Sequence, residues 1–190
     1  MKKLSKITES IWSDMQDRSA GDAVRQEDLI TTNEDLRNKI LGLYKEQGEG
    51  ETLDVSSLTN IIKCDDFSYI FEGFHKVKHI IGIENWDVSN VKNMECMFWD
   101  CTNFNSDLSN WNVSSVENMS GMFEECKNFN CDLSKWDVSN VENMLDMFRD
   151  CIKFNCDLSK WDVSSVKNMV EMFNGCKSLK QIPSWYYTHS

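Results

Sequence analysis

Apolar side chains recur along residues 86–178 in one fixed order. Read from each recurring Trp, a unit of 25 residues follows the template W-[DN]-V-S-[NS]-V-[KE]-N-M-x-x-M-F-x-x-C-x-x-F-N-x-D-L-S-x. The four units begin at Trp86, Trp111, Trp136 and Trp161 and contain no insertion. A unit this short cannot bury its own apolar face, so the pattern predicts copies that stack and cover one another.

The spacing within each unit predicts two elements. The segment V-x-x-M-x-x-M-F-x-x-C, residues 91–101 in the first unit, spaces its apolar residues as one helical face does. The segment D-L-S-x-W-x-V, residues 107–113, favours a short strand, because Trp and Val alternate there with polar residues. The predicted fold class is therefore an α/β solenoid with one short strand and one short helix per 25-residue unit. Stacked strands lie about 4.8 Å apart, so we expect Trp and Phe side chains to form ladders.

The flanking segments complete the predicted domain organisation. Leu4, Ile7, Ile11 and Met15 have helical spacing, and a second helix is expected after a cap at Thr32. The first helix is either a packing or self-association element or a docking or sorting segment. The expected parts are an amphipathic helix and linker (1–30), a helix and linker (31–52), a degenerate N-terminal capping repeat (53–85), four repeats (86–178) and a C-terminal cap (179–190).

Composition and charge narrow the classes of partner. Eight of the ten Met, four of the seven Trp and six of the eight Cys occupy fixed template positions, so their excess reflects the repeat. The net charge of −11 argues against nucleic acid and against anionic membrane surfaces. Because the chain has no run of 18 apolar residues, we expect no membrane insertion.

The first residues, MKKLSKITESIW, contain no continuous apolar segment of the kind found in secretory signals. A cytoplasmic or virion-associated location is therefore expected in preference to secretion, with the cysteines reduced. Residues 6–28 also resemble leaders found on proteins of gut-bacterial phages.

The recurring polar residues give little support to catalysis or metal binding. Cysteines at the repeat period are interpreted as buried packing residues, and zinc lacks a C-x-x-C pair. The recurring Asp residues are expected to cap backbone N–H groups, with Ca²⁺ binding as the alternative. The recurring Asn is expected to bond to the backbone of the neighbouring turn. We therefore expect no enzyme activity, no cofactor, no metal and no catalytic residue.

The pattern W-D-V-S-N-V-x-N-M-x-x-M-F-x-x-C resembles the short leucine-rich-type repeat of BspA-like bacterial surface proteins and related mycoplasma-type lipoproteins. The resemblance covers residues 86–178. It implies a short leucine-rich-repeat-like solenoid and a role in binding or adhesion. Members of that family are commonly exported, whereas the start of this sequence shows no signal segment and no lipobox-like Cys.

The favoured function is a non-enzymatic protein–protein interaction module that binds through template positions that vary between units. The partner and the oligomeric state are left open. Two alternatives stand beside it: a structural or virion-associated protein docked through its N-terminal helix, and a Ca-dependent binding module. Trp99 is a candidate anchor, or else it packs against the cap. The candidate partner-binding residues are Trp99, Ser120, Glu124, Glu125, Lys127 and Arg149.

Overall fold

The computed structural model describes residues 30–58 and 64–189. The helix predicted over residues 4–15 lies outside these ranges. The described elements are helix α1 (Asn33–Glu46), strand β1 (Thr52–Asp54), strand β2 (His79–Ile81), a 3-10 helix (Ile83–Asn85) and helix α2 (Tyr186–His189). Strands β1 and β2 pair in parallel, with Leu53 opposite Ile80.

Helix α1 confirms the helix predicted after Thr32. The Thr32 backbone is extended, and its hydroxyl oxygen accepts the N–H of Asp35 at 3.1 Å, as an N-cap does. One face of the helix is buried through Leu36 and Ile40. The apolar face of the helix therefore packs against the rest of the chain. The acidic residues of its first turn lie at the positive end of the helix dipole, which they stabilise.

The remaining described residues form stacked coils. We number positions within a coil from its Trp, as in the template, and align the first coil by its hydrogen bonds. The coils are coil 1 (64–85), coil 2 (86–110), coil 3 (111–135), coil 4 (136–160) and coil 5 (161–185).

Backbone hydrogen bonds join each coil to the next through positions 8–15. Alternate N–H groups of one coil donate to carbonyl oxygens of the following coil, with the same register at all four junctions. Between coils 3 and 4, for example, Phe123 N–H donates to the Met147 oxygen at 3.0 Å. The Asn at position 8 marks the start of this parallel pairing in every coil from coil 2 onward. We call this array the ladder.

The helix predicted in each unit is wrong, because the segment is a run of turns. In coils 2–5 the N–H groups at positions 12 and 14 bond three residues back within their own coil, as Glu124 does to Gly121. The N–H at position 10 bonds instead to the Asn side chain at position 8. Positions 11 and 15 have left-handed backbone in every coil, for example Cys96 (φ 50°) and Asp100 (φ 57°). An α-helix cannot continue through such residues. Each turn, closed by a hydrogen bond three residues back, returns the chain to the same side at an interval close to that of a helical turn. The apolar residues are therefore spaced almost as they would be on a helix, which explains the wrong prediction.

The strand predicted at D-L-S-x-W-x-V is also wrong. In coil 2 the Asp107 carboxylate accepts the N–H of Ser109 at 2.9 Å. The N–H of Trp111 then bonds to the Leu108 oxygen at 3.1 Å. Asp and Ser side chains thus offer the backbone a local alternative to strand pairing, and the extended pairing lies in the ladder instead.

Stacked Phe rings fill the core and confirm the predicted Phe ladder. At position 13, rings of successive coils lie 5.3–5.9 Å apart with interplanar angles of 2–6°. The rings at position 19 stack at 5.8 and 6.2 Å and lie 4.1–4.3 Å from the first row. The first row consists of Phe71, Phe98, Phe123, Phe148 and Phe173, and the second of Phe104, Phe129 and Phe154.

The two ends of the stack are covered by different means. At the first coil, the Asn33 amide of α1 donates to the carbonyl oxygens of Asp66 and Ser68. At the last coil, the Trp185 ring stacks on Trp161 at a centroid distance of 6.5 Å, and Tyr186 lies against the end of the Phe row. The apolar core is therefore shielded from water at both ends.

We expect Phe123→Ala to lower the free energy of unfolding by about 3–5 kcal/mol, because it removes a fully buried ring from the middle of the Phe row. Denaturant unfolding followed by circular dichroism measures this. The control is Val170→Ala, whose side chain is 61% exposed and whose loss should change stability by less than about 0.5 kcal/mol. Equal losses in the two variants would contradict a core organised around the Phe row.

Candidate partner-binding surface

The side chains at positions 10, 11, 14 and 15 accompany the ladder along all five coils. We call this surface the ladder face. It contains eight carboxylates and a single cation, Arg149. The acidic residues are Glu72, Glu95, Asp100, Glu124, Glu125, Asp146, Asp150 and Glu171.

Arg149 gathers three of these carboxylates around it. Its guanidinium lies 3.4 Å from Glu171, 3.5 Å from Asp146 and 3.9 Å from Asp150. The nearby negative charges, that of Glu171 foremost, raise the pKa of Arg149. Two cations from outside the ladder face also pair with its carboxylates, Arg37 with Glu72 and Lys127 with Glu125. The eight carboxylates still outnumber these three cations, so the surface keeps a negative excess.

Glu124 lies on the same row as Arg149, one coil earlier. Partial burial raises the pKa of Glu124, and the charge of Asp146 raises it further, while Arg149 opposes the shift. Its surroundings therefore disfavour the carboxylate. A positive group supplied from outside would relieve that repulsion.

Trp99 occupies position 14 of coil 2 and is partly buried. Its Nε1 atom is shielded from solvent and has no hydrogen-bond acceptor in the described part of the chain. The carbonyl oxygen of Trp99 accepts the N–H of Gly73, so its backbone is fixed in the ladder. The Trp99 backbone is therefore held at the acidic surface, and its indole N–H has no acceptor among the described residues.

The structure separates the six candidate residues into two groups. Trp99, Glu124 and Arg149 occupy position 14 on successive coils, with Glu125 beside them. Ser120 is only 8% exposed, and its hydroxyl donates to Asn118 of its own turn, so little of its side chain is accessible to a partner. Lys127 lies outside the ladder face at position 17, where its ammonium is 3.8 Å from Glu125.

The candidate residues include only two of the eight acidic members of the ladder face, Glu124 and Glu125. Glu95, Asp146 and Glu171 occupy positions 10 and 11. Ser120 and Gly121 represent the same positions in the second unit. A comparison of charge across all units at each variable position would have found them.

The recurring cysteines pack between successive coils, which confirms the packing interpretation. The thiol of Cys126 donates to the Phe98 oxygen of the preceding coil at 3.0 Å, and Cys151 repeats the contact with Phe123 at 2.9 Å. Burial raises the pKa of both thiols well above the ordinary value. All eight cysteines are free thiols. A buried thiol with a raised pKa is a poor nucleophile.

The recurring Asp residues confirm the capping interpretation. Asp137 accepts both the N–H and the hydroxyl of Ser139, at 3.1 and 2.7 Å. These hydrogen bonds, that of the hydroxyl foremost, hold the pKa of Asp137 below its usual value. The recurring Asn is bonded within its own turn, since the Oδ1 atom of Asn143 accepts the N–H of Leu145 at 3.1 Å. The predicted bond from this Asn to the backbone of a neighbouring turn is therefore wrong for its side-chain oxygen.

Neither metal nor membrane chemistry is indicated by the described residues. In ranges 30–58 and 64–189, no three or more His, Cys, Asp or Glu side chains are grouped as a metal site. Within the same ranges, every helix is too short or too polar to cross a bilayer.

The described coils define a repeat protein in which near-identical units are joined by a backbone ladder. Residues 65–186 match the family described as Mycoplasma protein of unknown function, DUF285. Because this match spans more than half of the chain, the protein belongs to that BspA-like repeat family. No curated protein and no solved structure matches the chain.

The Asp–Ser turns predict a pH dependence of stability. The folded state lowers the pKa of Asp87, Asp137 and Asp162, so their contribution is present above the unfolded pKa of about 3.9 and is lost as pH falls through the folded values. Thermal melting should therefore drop below about pH 4. The triple variant Asp87→Asn/Asp137→Asn/Asp162→Asn should show a shallower drop.

Coil 3 provides the natural control for this substitution. Asn112 occupies the same position and accepts the N–H and hydroxyl of Ser114 at 3.2 and 2.7 Å, so Asn preserves the turn. The triple variant should therefore melt close to the wild type at pH 7. An unchanged acid profile in the variant would show that these carboxylates do not contribute.

Proposed function

We propose that the 25-residue unit is the BspA-like leucine-rich-type repeat and that the coils form a short solenoid. The family match over residues 65–186 includes all four units, and the same ladder register recurs at every junction. The resulting unit differs from a strand-and-helix repeat, since turns and a ladder of hydrogen bonds replace both elements.

On this scaffold we propose a non-enzymatic protein–protein interaction module whose ladder face binds a basic surface of the partner. The observation that carries the proposal is the charge of that face, eight carboxylates against Arg149 alone. Charge complementarity of this kind steers association and selects against partners of the same sign. The ladder fixes the backbone beneath these side chains, so little order would have to be gained on binding.

Trp99 is the proposed anchor within the ladder face. Aromatic residues near the centre of an interface frequently dominate its energy. The shielded indole N–H of Trp99 lacks an acceptor among the described residues, and a partner carbonyl could supply one. Glu124 flanks Trp99 on the same row and would pair with a basic residue beside the anchor, whereas Glu72 on the other side already pairs with Arg37 of helix α1 at 3.3 Å.

The test is calorimetric titration of the full chain with a short peptide that carries several Arg residues and one apolar residue. Glu124→Gln/Glu125→Gln should weaken binding about tenfold, because two carboxylates are removed at the centre of the face. Trp99→Ala should weaken binding by a similar factor. Raising the ionic strength should weaken binding to the wild type.

The matched control is Glu34→Gln/Glu46→Gln, which removes the same charge from helix α1. It should leave binding unchanged. If the control pair weakens binding as much as the ladder-face pair, the peptide senses only the overall charge and the proposed site is refuted.

A further inference from the structure

A second surface of opposite charge runs along the stack at positions 18 and 20. The intervening position 19 carries Phe104 and Phe129, which are fully buried. The two polar rows therefore stand on either side of a groove of about 760 Å³, which we call the amide–lysine groove. Lys76, Asn103, Asn128 and Lys153 belong to the first row, and Lys78, Asn105 and Asn130 to the second.

Three lysines give this groove a positive charge on an acidic protein. Lys76, Lys78 and Lys153 are exposed, and no described carboxylate lies within 4.0 Å of their ammonium groups. Glu51 is the single acidic residue of the lining, so three positive charges and one negative charge leave +2.

The second row adds fixed amide donors to the lysines. The Oδ1 atom of Asn105 accepts the N–H of Asn130 at 2.9 Å, and that of Asn130 accepts the N–H of Asn155 at 2.8 Å. Since the backbone donors hold both oxygens, the Nδ2 groups are left free to donate. Neither Nδ2 has an acceptor among the described residues. The groove is therefore lined by ammonium groups and by amide N–H groups that have no acceptor among the described residues.

We propose that the amide–lysine groove binds a short, extended peptide segment rich in Asp or Glu. The carboxylates would pair with Lys78 and Lys153, and backbone carbonyl oxygens of the peptide would accept from the Asn105 and Asn130 amides. The lining contains no aromatic ring on which a base or a sugar could stack. A long nucleic acid would also meet the remaining negative charge of the chain, whereas a short segment contacts the groove alone.

This site is separate from the ladder face and attracts ligands of the opposite charge. The ladder face favours basic groups, whereas the groove favours acidic ones. The proposal therefore does not rest on the partner proposed above, and either can fail without the other.

The test uses the full chain and the peptide acetyl-(Glu-Ser)₃-amide in calorimetric titration at low salt. Lys78→Gln/Lys153→Gln should weaken binding about tenfold. Asn130→Asp keeps the oxygen that accepts the Asn155 N–H, replaces the two free donors by a second oxygen and adds a negative charge to the groove, so it should weaken binding of the acidic peptide as well. Thermal melting of each variant confirms that it remains folded.

Three controls decide between the proposal and its alternatives. Lys39→Gln/Lys45→Gln removes the same charge from helix α1 and should leave binding unchanged. Glu124→Gln/Glu125→Gln on the ladder face should not reduce binding of the acidic peptide. The neutral peptide acetyl-(Gln-Ser)₃-amide should bind at least tenfold more weakly than the acidic one.

The proposal is overturned if the neutral peptide binds equally well or if the α1 variant loses as much affinity as the groove variant. It is also overturned if inorganic sulfate displaces the peptide at peptide-like concentrations, because the groove would then be a site for small anions alone.

Discussion

The ladder between coils is the interaction on which the other features depend. It requires a chain that sends every second N–H to the next coil and returns the others into its own turn. Left-handed residues at positions 11 and 15 make this possible. Glycine fits such positions without strain and Asp tolerates them better than most residues, as at Gly121 and Asp146. With the backbone fixed in this way, the Phe rings must superimpose, and the polar positions must form continuous rows.

The sequence could predict stacking because its repeat fixes residue type as well as hydrophobicity. The Phe rows, the capping Asp residues and helix α1 were all predictable for this reason. The elements inside the unit were not, because turns closed at three residues place apolar side chains at nearly the spacing of a helix. The left-handed positions are hard to recognise in the sequence, because Gly73, Gly121 and Gly175 occupy them in some coils, and Cys, Tyr, Glu or Asp occupies them in others.

The candidate surface shows what variability between units can and cannot indicate. Variability between units points to positions 10, 11, 14, 15, 17 and 18, and Trp99, Glu124 and Arg149 form one row at position 14. Variability gives no measure of burial, and Ser120 at position 10 is only 8% exposed. The amide–lysine groove is not evident from the sequence, because its lysines come from positions 18 and 20 and two of them belong to coil 1, outside the regular repeat. Only the stacked geometry brings Lys78 and Lys153 to the same groove.

Near-identical coils raise the question of what prevents a coil from stacking on the wrong neighbour. Coil 1 differs from the rest, since it contains strand β2, which pairs with β1, and its Asp66 and Ser68 carbonyl oxygens accept from the Asn33 amide of helix α1. The first coil therefore has one permitted place, and chain connectivity assigns the others in order. Every later junction has the same bonds in the same register. The stack can consequently be lengthened or shortened by one whole unit at a time. Each added unit would extend the ladder face and the amide–lysine groove, while the junctions and the two ends would stay unchanged.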